Sequence, residues 1–288
     1  MRFRSTDHDP RARWLWLPLL FLALATGCSG LFQNLGAKWV TRQIATEFDL
    51  DEAQTAQTRA SVERLIAAAP AALSSKIEML VATVDVAISK GFDEQKLIGL
   101  EKQVDKLLDV VAGAIIDEAS PILASMRDDQ LDFAEARMNE RLEDAREELE
   151  APKEERIEKR ADSFVEAVED WAGEISEAQE RSLRTFVSRL PDEAEARLAA
   201  DERRLERVGA VLRTHPGPEV VRDALWREWK NREDWGPDAR PPAARRAEGR
   251  EAIVFVYGLF TPEQKVHASE HLHELHGKLK SFFGAVGS

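Results

Sequence analysis

The chain has 288 residues, with 53 acidic against 40 basic side chains, a net charge of −13 and one cysteine. Such an acidic chain lacks the basic footprint of a nucleic-acid binder. A single thiol excludes an internal disulfide and cysteine-rich metal centres, so packing must hold the fold together.

The N-terminus reads as a lipoprotein leader. Arg2, Arg4, Arg11 and Arg13 outweigh Asp7 and Asp9, and Trp14 to Ala25 is apolar apart from Pro18. That run is too short for a bilayer core, which takes about 20 apolar residues. The small residues Ala25, Thr26 and Gly27 then precede Cys28, the lone cysteine. This pattern predicts cleavage after Gly27 and acylation of Cys28, a lasting anchor at about 0.8 kcal/mol per buried methylene. Ser29 in place of Asp resembles outer-membrane-directed lipoproteins that face the periplasm. Residues 1–27 hold four arginines and two acids, so removing them leaves 261 residues with a charge of −15.

The rest of the chain predicts an all-α fold, an elongated bundle of long antiparallel helices with coiled-coil-like seams. After an anchor-proximal segment, 28–48, the main bundle spans 49–214. Within it Leu73, Ile77, Leu80, Val84 and Ile88 recur at helical spacing, as do Leu97, Leu100, Val104, Leu107, Val111 and Ile115. Gly91-Phe92-Asp93 between these runs supplies the turn of a hairpin. Leu131, Ala134, Met138, Leu142, Ala145 and Leu149 form a further seam. Pro152 separates it from Ile157, Ala161, Phe164, Val168 and Trp171, and Leu198 to Leu212 comes after Pro191. Residues 215–250 are expected to be a hinge, at His215-Pro-Gly-Pro218, and a loop rich in Pro and Arg. Residues 251–288 form a C-terminal helical segment, in which Ile253 to Tyr257 reads as a buried helical turn rather than a strand.

A weak repeat marks the helix starts. An apolar residue is followed by Asp, Ser or Thr and, three residues later, by Gln: Asp51 and Gln54, Ser176 and Gln179, Thr261 and Gln264. Degenerate copies occur at 92–95 and 126–130. Each is a capping box, in which the first side chain accepts from the N3 amide and the Gln reaches back to the N-cap amide. Pro262 at the first helical position fits as well. The expected role of these residues is to start helices.

Leu31 to Gln54, Met126-Arg-Asp-Asp-Gln130 and above all Glu154 to Gln179 (EERIEKRADSFVEAVEDWAGEISEAQ) carry a family likeness over roughly residues 20–215. The chain resembles an uncharacterised bacterial lipoprotein family, domain of unknown function 6279. That resemblance implies a helical, lipid-anchored envelope protein with no assigned activity. The Gln-terminated helix starts are also similar to those of Spy-type periplasmic chaperones.

Two clusters could carry chemistry. His267, His271 and Glu274 fall at i, i+4 and i+7 on the last predicted helix, one face and a plausible Zn²⁺ or Ni²⁺ set. The plainer reading is that the histidines border the apolar stripe. Trp226, Trp229 and Trp235 lie just upstream of a basic island, Arg240, Arg245, Arg246 and Arg250. Trp and Arg favour recognition surfaces, so Trp226, Trp229, Trp235, Arg245 and Arg246 are candidate partner contacts. Alternatively the tryptophans pack and the arginines pair with acidic faces. There is no nucleophile elbow, phosphate loop or His-Glu-x-x-His motif, so no enzyme and no cofactor are expected. The expected protein is a lipid-anchored periplasmic binding or scaffold protein with a membrane and an envelope protein as partners. The alternatives are a chaperone for apolar client segments and metal binding by the histidine helix.

Overall fold

The computed structural model describes residues 31–286, with side chains from 36 to 284; the expected leader, residues 1–27, and Cys28 lie outside the described residues. Among these residues there are ten helices and no strand: α1 (Leu31–Glu47), α2 (Glu52–Lys90), α3 (Glu94–Ala124), α4 (Asp128–Glu150), α5 (Lys153–Ala172), α6 (Glu177–Arg189), α7 (Ala194–Leu212), α8 (Pro218–Lys230), α9 (Pro242–Leu259) and α10 (Pro262–Val286). The all-α reading holds, with long helices packed on one another.

The expected hairpin is α2 and α3. Its turn forms because Gly91 takes φ of 96° and its N–H closes the helix on the Ala87 carbonyl at 2.8 Å. Left-handed φ suits a residue without Cβ. Asp93 then caps α3, accepting from the Lys96 amide at 2.9 Å. At the end of α5, Gly173 takes φ of 72°, and an added Cβ would also lie 3.4 Å from the His267 ring. The positive φ, rather than that contact, disfavours a side chain there.

Apolar burial is divided among four clusters rather than one core. Met126, Leu131, Ala134, Leu212 and Val221 join the ends of α1 and α3 to α4, α7 and α8. Val165, Val168, Ala172 and Leu183 join α5 and α6 to α9 and to Phe260 in the turn before α10. Two more clusters, centred on Leu73 with Phe283 and on Ile88 with Leu272, lay α10 along the α2–α3 hairpin.

The structure corrects the reading of 215–250. Most of that stretch is helical, in α8 and the first half of α9, and only 215–217 and 231–241 lie between helices. Pro218 and Pro242 occupy first helical positions, where the missing N–H costs nothing and the fixed φ favours the turn. They start helices instead of breaking them. Ile253 to Tyr257 is helical as expected, but it is not buried. No residue of α9 is fully buried, and Ile253 and Val254 are 45% and 42% exposed.

Candidate functional site

The capping boxes form, and they also find one another. At the start of α2 the Asp51 carboxylate accepts from the Gln54 amide at 2.9 Å, and Gln54 Oε1 accepts from the Asp51 N–H at 3.1 Å. At the start of α4 only half a box forms. Gln130 Oε1 accepts from the Arg127 N–H at 3.1 Å, whereas the arginine side chain has no acceptor to give. These two glutamines, 76 residues apart, then exchange hydrogen bonds: Gln130 Nε2 donates to Gln54 Oε1 at 2.6 Å and Gln54 Nε2 to Gln130 Oε1 at 3.2 Å. Each amide also donates to a carbonyl two positions before the other box's first residue, Gln54 to Ser125 at 3.1 Å and Gln130 to Asp49 at 2.7 Å.

The same arrangement recurs at the starts of α6 and α10. Ser176 with Gln179, and Thr261 with Gln264, form reciprocal boxes at 2.9 to 3.3 Å. Gln179 Nε2 donates to Gln264 Oε1 at 2.7 Å, and Gln264 Nε2 returns to Gln179 Oε1 at 3.4 Å. Gln179 also donates to Leu259 O at 2.8 Å and Gln264 to Glu174 O at 2.9 Å, again two positions before the opposite box. Every amide therefore uses both N–H groups and two acceptor sites, a local twofold corner with no capacity left over. The chemistry is neutral and structural: each corner locks two helix starts together above an apolar cluster. The sequence reading located the boxes and missed their pairing. The available signal was Gln at the last position of each box, since Glu would cap but could not donate to a partner.

The Arg/Trp block is likewise spent on the fold. Trp229 Nε1 donates to Asp109 at 2.8 Å, beside Lys230 Nζ at 2.7 Å, and hydrogen bonds from Lys230 and then Trp229 hold the Asp109 carboxyl below its ordinary range. Lys230 also lies over the Trp226 ring, 5.1 Å from its centroid, and Trp226 packs 3.2 Å from where Gly113 would carry a Cβ. Arg245 sits 3.9 Å over Trp235 and bonds the Glu233 and Arg240 carbonyls. Arg246 forks onto Glu233 and reaches Asp105 at 2.7 Å. Arg240 clasps Glu193 and Glu248, and Arg250 meets Glu101 at 2.8 Å. Burial pushes the Glu193 carboxyl up, but hydrogen bonds from Arg240 outweigh it and the net direction is down. These half-buried tryptophans and arginines tie α8 and α9 to α3 and to the turn before α7.

The metal set does not assemble. His267 Nδ1 faces the Trp171 carbonyl at 3.0 Å, the His271 ring meets the Trp171 ring edge-on at 5.1 Å, and Glu274 pairs with Lys278 at 2.7 Å. One helical face supplied the spacing, but the neighbouring α5 and the next turn of α10 take the donors. Among the described residues no three His, Cys, Asp or Glu side chains converge as a metal site.

Residues 47–240 match the sequence profile of a family of unknown function (DUF6279). No curated protein and no solved structure matches the chain. The match begins later and ends later than the resemblance read from the sequence, so it leaves out most of α1 and takes in α8 and its tryptophans. It covers both boxes of the first corner and Ser176 with Gln179, and stops short of α9, Thr261 and Gln264. The chain belongs to this family.

Proposed function

We propose that this member of the family is a lipid-anchored periplasmic protein of the cell envelope that serves as a binding or scaffold module. The observation that carries this reading is the position of the sole cysteine, directly after an apolar run and three small residues. The helical body supports it: amide corners and arginine clasps hold the helices against one another, and acidic and basic groups meet in pairs across helices. The anchor is tested by replacing Cys28 with Ala and by inhibiting the lipoprotein signal peptidase. Accumulation of a larger precursor under both conditions is expected; a Cys28→Ala chain that is still processed and membrane-bound would sink the proposal.

A second reading, a chaperone for apolar segments, is favoured by the outer face of α2. Ala68, Ala71, Ser75, Met79, Ala82 and Val86 succeed one another at helical spacing and are all exposed, Met79 at 63% and Val86 at 48%. That helix also holds an apolar stretch long enough to span a bilayer by length and composition. In a client-aggregation assay this reading expects suppression that Met79→Glu with Val86→Glu removes. Suppression unchanged by those substitutions would discard the α2 face as the client site.

A further inference from the structure

The strongest unassigned feature lies at the membrane-proximal end of the described chain. An open groove of about 520 Å³ runs between α1 and the start of α2, with Phe133 of α4 at its side. Its charged lining is Lys38, Arg42 and Arg59 against Asp49. Arg59 is engaged by Glu63 at 2.8 Å, whereas among the described residues Lys38 and Arg42 pair with no acid, and both are exposed. The other acid nearby, Glu47, faces Arg137 and Arg141 instead. Thr41, between the two cations, is 4% exposed and lines the groove, yet its hydroxyl has no hydrogen-bond partner. Beside them Trp39 is 52% exposed. In an acidic chain whose other arginines are so often clasped by carboxylates, this is a cationic face left open.

Position selects the ligand. α1 begins three residues after Cys28, a stretch that spans at most about 10 Å even fully extended. Lys38 is seven residues further along the helix, about 10 Å of rise. Any lipid on Cys28 therefore holds Lys38 within about 20 Å of the bilayer surface. That tether lets the face approach within a Debye length of the surface, about 8 Å, where exposed Lys and Arg gain from anionic headgroups, and Trp suits the headgroup level.

We infer that this groove receives the phosphate of an anionic phospholipid headgroup from the bilayer that carries the anchor. Lys38 and Arg42 meet the phosphate, the Thr41 hydroxyl gains an acceptor, and Trp39 seats beside it, so that α1 lies against the membrane. This rests on the proposed acylation of Cys28.

The lone, acylated cysteine makes the test clean. A Gln43→Cys chain, purified full-length from membranes and placed in lipid nanodiscs, takes one environment-sensitive thiol dye next to Arg42. Dye emission should shift in phosphatidylglycerol discs relative to phosphatidylcholine discs and return at high salt. Two cations at an anionic surface bias the docked state by about 30-fold, so Lys38→Glu with Arg42→Glu should abolish the shift. Both side chains are exposed, so the fold remains, and a dye at Glu166→Cys on α5 should not respond. One dye per chain with no lipid-dependent shift, a shift that survives the double substitution, or the same shift at Glu166→Cys overturns the headgroup site alone. Inorganic phosphate reproducing the shift in phosphatidylcholine discs overturns it in favour of a soluble anion. Two dyes per chain show a free Cys28 and overturn the anchor and the headgroup site together.

Discussion

The corner joining α2 to α4 and the corner joining α6 to α10 share one hydrogen-bond plan and differ in setting. In the first, Gln130 is fully buried and Gln54 is 6% exposed; in the second, Gln264 is 8% exposed and Gln179 is only half-buried. The first has Arg127 at one cap position, whose guanidinium reaches across to Asp51 at 3.1 Å, while the second has two hydroxyl caps. The same bonds carry different energetic weight because a buried amide that loses its partner has no water to turn to. Burial, rather than motif completeness, should rank the two corners.

The largest expected effect tests that ranking directly. Gln130→Ala leaves the Asp49 carbonyl, the Arg127 amide and half of the Gln54 side chain without partners and opens a cavity. It should destabilise by about 4 kcal/mol. Gln264→Ala should lose about 2 kcal/mol, since water reaches the half-buried Gln179. Urea unfolding monitored by circular dichroism measures both, and equal losses would break the ranking.

The amide corners also contrast with the charged clasps around α8 and α9. Asp109, Glu193 and Glu228 all have folded values below the ordinary carboxylate range, through Lys230, Arg240 and Arg207 respectively. A depressed folded pKa contributes stability that is complete above the unfolded value and lost as pH falls through the folded one. Stability should therefore decline below about pH 4. Asp201 runs the other way, raised by burial, so its protonation offsets part of the loss. Neutral amides do not titrate, so the difference between Gln130→Ala and the native chain should be flat with pH; a difference that closes in acid would tie the corner to the clasps. Arg246→Lys keeps the charge but loses the fork onto Glu233, and should cost about 1 kcal/mol.

The smallest effect is a gain. Arg127→Ser supplies the missing acceptor for the Gln130 amide, worth about 1 kcal/mol for a cap. It gives up only exposed pairs with Asp51 and Asp129, which solvent screens. A small net stabilisation is expected, and a loss would mean that the guanidinium bridge between the two helix starts is itself part of the corner.

Much of the fold was legible in the chain because its signals are local. Helical periodicity placed α2 and α3, Gly91 and Asp93 marked their turn, and the boxes at Asp51, Ser176 and Thr261 marked where three helices begin. Pro218 and Pro242 misled because a proline opening a helix and a proline inside a loop have the same local signature, and only the packing of the next turns separates them. His267, His271 and Glu274 misled because spacing along one helix says nothing about the neighbour that claims each side chain.

By itself the sequence determined the helical class and the helix starts, since each depends on residues within a few positions of one another. Tertiary structure alone decided that glutamines 76 and 85 residues apart would pair, that the Arg/Trp block would pair with acids of distant helices, and that Lys38 and Arg42 would remain open. A hydrogen-bonding or charged group shows its capacity in the sequence; which partner fills it depends on topology, and that is set only when distant helices meet.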